Sequence, residues 1–327
     1  MNAHWWRSEV LSLLLLAMSV AVDGPAQADD YPTKPVKIIT HGAAGGAVDV
    51  PLRIVADRLT QYWGQQVLVL NHPGAGGSIA ARVAAASAPD GYTLYMPTTS
   101  AFVTLPGTTP NLPLEVPRDF APIGLIGEVP IFVAVAPSLG VSSLPELIAL
   151  AKKRSGKISY AATGRGTLTH LTGQLLQSRA GIRLLMVPYL GGPAQALSDV
   201  MSGRVPVIIE GFSGISGAIR GGSIKPIAVA SARRLPEFPD LPTVAETIPG
   251  FRAVAVYALV APTGTPEPIV QRASETLRKV LTEAEVQKKL APLGTYVRAI
   301  SPAEVTALIQ SEQQLWNPVL LQVAATP

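Results

Sequence analysis

The chain has 327 residues, no cysteine, and 26 basic against 22 acidic residues, which gives a formal net charge of +4. The lack of cysteine excludes disulfides, thiol nucleophiles and cysteine metal sites. No run of lysine or arginine is long enough to indicate binding to nucleic acid. A chain of this length can bury a core that needs no covalent support, and its length favours two domains over one.

Residues 1–28 have the composition of a secretory signal. Arg7 supplies a basic start, residues 10–22 are apolar, and Ala26-Gln27-Ala28 fits the small-residue rule for cleavage. The apolar run is shorter than the roughly 20 residues that a membrane-spanning helix needs. We therefore expect an exported mature chain that begins near Asp29.

Strands and helices alternate in the first third of the chain. Short apolar runs predict strands at 36–40, 66–70 and 92–96. The first run is followed by apolar residues at helical spacing, namely Leu52, Val55, Ala56, Leu59 and Trp63. Strands separated by helices are typical of parallel βαβ units, so this part predicts an α/β sheet.

A second α/β set follows. Its predicted strands lie at 131–137, 158–162, 184–189, 205–210 and 224–231, and its predicted helices at 144–153, 171–178 and 193–201. A proline-rich surface connection, a strand at 253–262 and helices at 267–290 and 302–320 complete the chain. If the chain crosses near Ile131 and again near Ala253, residues 29–130 and 253–327 form lobe 1 and residues 131–252 form lobe 2. Two such crossover segments would act as a hinge over a cleft.

Four glycine-containing turns run from a predicted strand into a helix, at Gly42–Gly46, Pro73–Ser78, Thr163–Thr167 and Tyr189–Pro193. Glycine lets backbone N–H groups converge, and the free N–H groups of a helix's first turn attract anions. Glycine also closes βα connections that have no other role, an explanation that suits the second turn best. One helix terminus stabilises an exposed anion by only ~0.3–1 kcal/mol, so a binding site needs several turns together.

Polar residues beside these turns are candidate ligand groups. The third turn brings threonine hydroxyls together with His170, and both suit carboxylate oxygens. His41 can donate to an anion or be merely structural. Asp49, just before Pro51, is an N-cap or first-turn acid in one interpretation and a direct ligand contact in the other.

Enzyme signatures are absent from the sequence. The stretch Gly211–Ile215 fails the G-x-S-x-G pattern at its last position, and neither H-E-x-x-H nor a glycine loop with a following lysine occurs. The four histidines, at 4, 41, 72 and 170, do not cluster as metal ligands. We therefore predict a binding protein without metal or cofactor. An exported hydrolase using Ser78, Ser100 or Ser213 is the alternative, but no base and acid accompany these serines.

Eight motifs carry a resemblance to a known family: "YPTKPVKIIT", "GGAVD", "NHPGAGGSIAA", "APDGYTLY", "PRDFAPIGLIG", "VPYLGGPAQALSDVMSGRV", "FPDLPTVAET" and "LVAPTGTP". In this order they resemble the Bug (Bordetella uptake gene) family. These proteins are the TctC-like extracytoplasmic solute receptors of tripartite tricarboxylate transporters. The resemblance covers essentially the whole mature chain.

The resemblance implies a type II periplasmic-binding-protein fold, in which two α/β lobes close on a small organic anion, commonly a carboxylate. It implies a monomer in the periplasm that delivers its ligand to TctA/TctB-like membrane subunits. A sensor that docks on the closed form is the alternative partner. With His41, the ligand-binding residues that it implies are Gly45, Gly46, Asp49, Thr98, Thr99, Gly164, Gly166, Thr167, His170, Tyr189, Gly191 and Glu210.

The chain departs from the family pattern at three places. His41-Gly42-Ala43-Ala44 replaces a Phe-Pro-Pro-like segment, so that this wall is smaller, more flexible and more polar. Pro206 stands where an acidic residue is common, and Arg165 lies inside the third turn. These departures place the usual dicarboxylate or amino-acid preference in question.

Overall fold

The computed structural model describes residues 30–108, 112, 114–190 and 192–324, so the predicted signal segment and Gly191 lie outside the described residues. The strands are β1 (Val36–Thr40), β2 (Val67–Asn71), β3 (Thr93–Met96), β4 (Phe120–Val135), β5 (Ser159–Ala162), β6 (Leu185–Pro188), β7 (Val207–Gly211), β8 (Lys225–Val229) and β9 (Val254–Pro262).

The α-helices alternate with these strands and are joined to them by turns and short 3₁₀ segments. They are α1 (Asp49–Trp63), α2 (Ser78–Ala85), α3 (Thr99–Thr108), α4 (Leu144–Lys153), α5 (Leu168–Ala180), α6 (Pro193–Met201), α7 (Phe212–Arg220), α8 (Glu267–Thr282), α9 (Ala284–Leu290) and α10 (Pro302–Ala324). None of the helices in the described part combines the length and the hydropathy that crossing a bilayer requires.

Lobe 1 is built on a sheet with the strand order β2-β1-β3-β9-β4. Strand β1 pairs in parallel with β2 and β3, and Thr40 lies level with Asn71 on one side and Met96 on the other. The carboxyl ends of the three strands therefore meet at one edge of the sheet. Ligands of open α/β sheets bind at such an edge, which here carries the first two glycine turns and the start of α3.

Lobe 2 repeats this arrangement. Its sheet runs β8-β4-β7-β5-β6, with β5 parallel to both β6 and β7. The third glycine turn leaves the carboxyl end of β5 and enters α5 directly. Each lobe thus has at least one glycine turn at the carboxyl edge of its parallel strands.

Strand β4 belongs to both sheets. Residues 120–130 pair with β9 in lobe 1, whereas residues 131–135 pair with β7 and β8 in lobe 2. The returning chain lies beside this change of partner, because the Ile131 amide donates to the Ala253 carbonyl at 3.3 Å. The two connections between the lobes are therefore adjacent.

Helix α10 also spans both lobes. Val305, Leu308 and Ile309 pack in a core cluster of lobe 1, whereas Trp316 and Val319 pack in the core of lobe 2. The boundaries drawn from the sequence assign residues 253–327 to lobe 1, and the second half of α10 differs from that assignment. Its helical periodicity shows an apolar face but not which lobe covers that face.

Candidate functional site

The first glycine turn is held together by Asp49. This side chain is fully buried, and its Oδ2 accepts hydrogen bonds from the Gly45 amide at 2.8 Å and from Arg53 Nε at 2.7 Å. Asn71 Nδ2 donates to Oδ1 at 2.7 Å and to the Gly42 carbonyl at 2.8 Å. Burial alone would raise the pKa of Asp49, but these hydrogen bonds outweigh it and lower the pKa. Asp49 is a first-turn acid that fixes the loop, and its oxygens are engaged within the chain.

The backbone donors of this turn differ from the predicted ones. The Gly45 amide is the one bound by the carboxylate, and the Gly46 amide donates to the Ala43 carbonyl at 3.0 Å. Neither of the two glycine amides that the resemblance implies is therefore free. The next two, of Ala47 and Val48, have no acceptor among the described residues. They precede α1, where the helix end favours an anion.

His41 follows β1 and has an unused ring nitrogen. Its Nδ1 is buried and has no hydrogen-bond partner in the described part of the chain. Burial lowers the pKa of His41, so the ring is neutral at pH 7 and offers one donor and one acceptor. The ring lies against Gly77, where a Cβ would stand 3.3 Å from His41 Cγ. Glycine at this point of the second turn leaves room for the imidazole.

The third turn is rigid. Thr167 is the N-cap of α5, since its hydroxyl accepts from the His170 amide at 3.4 Å and donates to the Gly164 carbonyl at 2.8 Å. His170 Nδ1 accepts from the Gly166 amide at 3.0 Å, which places the ring proton on Nε2. Burial and the positive charge of Arg165 lower the pKa of His170. His170 is thus a neutral ring that fixes the turn.

The start of α5 still presents donors. The first backbone N–H groups of a helix cannot bond within it, and the Thr167 hydroxyl caps one of them. The hydroxyl oxygens of Thr163, Thr167 and Thr169 form a chain with two contacts of 3.0 Å. Amides and hydroxyls so arranged suit the oxygens of a carboxylate.

A cavity of about 460 Å³ lies between the lobes. Lobe 1 contributes His41, three glycines of the second turn and the start of α3, and lobe 2 contributes the third turn. The lining residues are His41, Gly74, Gly76, Gly77, Ser100, Thr104, Leu105, Arg165, Gly166 and Thr167. No acidic side chain is among them. The described residues also hold no group of three metal-ligating side chains.

Three of the predicted residues, His41, Gly166 and Thr167, meet in this cavity. The second turn, for which a purely structural role is the simplest interpretation of the sequence, supplies glycines to its wall. Ser100 and Thr104 also line the cavity, although they are not among the ligand groups predicted from the sequence. Their position just after a strand of the parallel set was the available signal.

Other predicted residues serve the framework. Thr99 Oγ1 accepts from the Val256 amide at 2.7 Å, and Thr98 pairs with β9 in an isolated bridge. The Tyr189 hydroxyl donates to Asp199 Oδ2 at 2.7 Å and is therefore engaged within lobe 2. Gly191 lies outside the described residues.

Glu210 lies on β7, and its side chain is half-buried. Its Oε1 accepts from the Gly211 amide at 2.9 Å. Burial raises the pKa of Glu210 to about 7, against the opposing effect of that hydrogen bond. Burial and the charge of Glu210 both raise the pKa of Tyr257, whose hydroxyl donates to the Ala47 carbonyl at 3.3 Å. Glu210 thus acts on a residue that contacts the first turn of the opposite lobe.

Comparison with known proteins identifies the family. The model of the tripartite tricarboxylate transporter family receptor matches residues 52–324. BugT of Bordetella pertussis is 33% identical over 319 residues, which cover 97% of each chain. The R. palustris protein Rpa4515, solved with adipate, is 30% identical with a TM-score of 0.79 and covers 90% of this chain and 98% of its own.

A second solved relative has the same two-lobed fold. MatC from Rhodopseudomonas palustris, solved with bound malate, is 28% identical with a TM-score of 0.74, over 89% of this chain and all of its own. The predicted fold class and the predicted resemblance to the Bug family are thus confirmed, and the family is one of receptors rather than enzymes. The chain belongs to the tripartite tricarboxylate transporter receptor family.

Proposed function

We propose that this protein captures a small organic acid through a carboxylate in the cleft between its lobes and delivers it to a membrane transporter. The observation that carries the proposal is the cavity that both lobes line with hydrogen-bond donors and that no acidic side chain lines. The adipate in Rpa4515 and the malate in MatC support a carboxylate ligand.

Binding requires donors from both lobes. A hydrogen bond to a charged group contributes about 1.5–3 kcal/mol net, whereas a micromolar ligand needs about 8 kcal/mol. The Ala47 and Val48 amides in lobe 1 and the first amides of α5 in lobe 2 are the donors we assign to the carboxylate, together with His41. Because each lobe supplies only part of this set, the ligand favours the closed arrangement by its differential affinity.

Export to the periplasm and delivery to TctA/TctB-like subunits belong to the same proposal. The signal-like composition of residues 1–28 and the match to a transporter receptor family support them. A sensor that docks on the closed form would use the same closed surface. Co-purification of the ligand-loaded protein with membrane subunits supports transport, whereas capture of a sensor protein alone would contradict it.

Ligand capture is tested by calorimetry and thermal unfolding of the purified protein with adipate, malate and a wider panel of organic acids. A ligand at 100 times its dissociation constant stabilises the folded state by about 2.7 kcal/mol, which a melting curve resolves. We expect at least one carboxylate to bind in this way. A panel that gives no stabilisation contradicts the proposal.

Two substitutions test the placement of the site. Thr167→Ala removes the hydroxyl that caps α5 and donates to the Gly164 carbonyl, so the amides at the start of α5 are held less firmly. We expect carboxylate affinity to fall about tenfold, with a loss of about 1 kcal/mol of stability from the missing cap. Thr167→Ser keeps the hydroxyl and is the matched control. Gly46→Val places a side chain 3.0 Å from the Ala43 carbonyl, displaces the first turn and weakens binding. Full affinity in both Thr167→Ala and Gly46→Val would show that the site lies elsewhere.

A further inference from the structure

Arg165 is an unpaired cation in the interlobe cavity. It lies inside the third turn, between Gly164 and Gly166, and its side chain is exposed. Within the described residues it has no hydrogen-bond acceptor and no ion-pair partner. By contrast Arg204, also on lobe 2, pairs with Asp199 at 2.6 Å. The charge of Arg165 is therefore available to a ligand.

Arg165 is also the one charged side chain among the described residues that line the cavity. His41 lines the same cavity as a neutral ring, because burial lowers its pKa. The glycines and hydroxyls of the wall carry no formal charge. A ligand that enters this cavity thus meets many dipoles but a single full charge.

The position of Arg165 also places it beside a part of the structure that lies beyond the interlobe cavity. Together with Gly166 it lines a second cavity of about 710 Å³, which continues between α3 and α10. Glu115 also lines this cavity, and its charge is paired with Arg118 at 2.6 Å. A guanidinium where two cavities meet can bind a group that extends beyond the carboxylate held by the turns. Guanidinium groups bind carboxylates in a two-pronged geometry that neither a backbone amide nor a hydroxyl reproduces.

We infer that Arg165 is the specificity-determining residue of this receptor, which binds a second anionic group of the ligand and so selects dianionic over monoanionic organic acids. The inference rests on the proposed function and adds to it a side chain that distinguishes ligands with two negative charges from ligands with one. The turns alone bind one carboxylate and do not distinguish a diacid from its half-amide.

The test compares ligands that differ in one charge. Adipate and its monoamide, and malate and its monoamides, have nearly the same size and shape within each pair. Calorimetry at constant ionic strength compares the original chain with Arg165→Gln and Arg165→Lys. We expect the original chain to prefer the diacid of at least one pair by about 10- to 100-fold, as a charged hydrogen bond implies. Arg165→Gln lowers diacid affinity by that factor and changes half-amide affinity less than threefold, and Arg165→Lys lies between.

Arg179→Gln is the matched control. Arg179 is exposed and lies near the far end of α5, about 16 Å along the helix from its start, so the same change of net charge occurs beyond the range of screened contacts. It should leave both affinities unchanged. Thermal unfolding of each variant verifies that the fold is retained.

The outcomes separate the two hypotheses. A diacid preference that persists in Arg165→Gln overturns the inference, and so does an equal loss of both ligands in that variant. An original chain that binds diacid and half-amide equally overturns the inference and leaves the proposed function standing. An original chain that binds no member of either pair or of the wider acid panel contradicts the proposed function itself.

Discussion

Glu210 makes the stability of the protein depend on pH. Its pKa of about 7 in the folded state exceeds the ordinary 4.5, so the folded state keeps a proton that the unfolded chain releases between these values. The contribution to stability is therefore complete below about pH 4.5, declines as pH rises toward 7, and stays lost above it. At about 1.4 kcal/mol per pKa unit the effect amounts to a few kcal/mol.

Glu210→Gln should remove this decline. The amide is neutral at every pH and keeps an oxygen to accept from the Gly211 amide, so we expect the variant to exceed the original chain in stability at pH 8 and to match it near pH 4.5. Urea unfolding at the two pH values measures the difference. Glu275→Gln, at an exposed site on α8, is the control. An unchanged pH dependence in Glu210→Gln would show that Glu210 is ionised in the folded protein.

Individual roles in the cleft were only partly predictable from the sequence. The residue types that line the cavity, glycine and hydroxyl-bearing residues after parallel strands, are visible in the chain order. The engagement of Asp49 by Asn71 is not visible, because the two meet only when β1 and β2 pair. The lack of a partner for Arg165 is likewise a property of the fold, although its place in a glycine turn is evident in the sequence.

At the scale of elements, Glu312 holds α10 against the crossover segments between the lobes. This carboxylate is 1% exposed, accepts from Trp316 Nε1 at 3.0 Å and pairs with Arg252, which also contacts Glu128 at 3.1 Å. Glu312→Ala leaves the indole N–H and part of the guanidinium without a partner. We expect a loss of about 2–4 kcal/mol in the free energy of unfolding.

Glu312→Gln is the comparison for this element. Its amide oxygen can still accept from the indole, so we expect it to lose less stability than Glu312→Ala, as measured by urea unfolding under the same conditions. Equal and small losses in the two variants would mean that apolar packing alone holds α10.

Element prediction failed where long-range contacts decide the structure. The sequence predicts a strand only from 131, whereas β4 begins at Phe120. Its first half contains prolines and glycines that favour turns, and the register with β9 shifts at Pro122/Gly124 and at Leu125/Gly127. A Cβ at Gly124 would lie 2.7 Å from Leu277 Cδ2, so a larger residue here would have to displace that side chain of α8. Nothing near Gly124 in the sequence shows that approach.

At the scale of the whole molecule, β4 and α10 join the two lobes into one cooperative unit. Each lobe completes its sheet or its core with residues from an element that the other lobe also uses. We therefore expect a single unfolding transition in urea. Far-UV circular dichroism, which follows all elements, and tryptophan fluorescence, to which Trp63 of lobe 1 and the fully buried Trp316 of α10 contribute, should give the same midpoint. Two separated transitions would show that the lobes unfold independently.

Because α10 passes from lobe 1 to lobe 2, the two ends of the described chain lie on different lobes. Tyr31 packs in the core of lobe 1, whereas Leu320 and Val323 lie against the core of lobe 2. Because the sequence contains no cysteine, cysteines introduced at the exposed positions Asp30 and Leu321 would be the sole thiols for a pair of dyes. Energy transfer between dyes at these two positions would follow the separation of the lobes, which makes the protein a scaffold for an optical sensor.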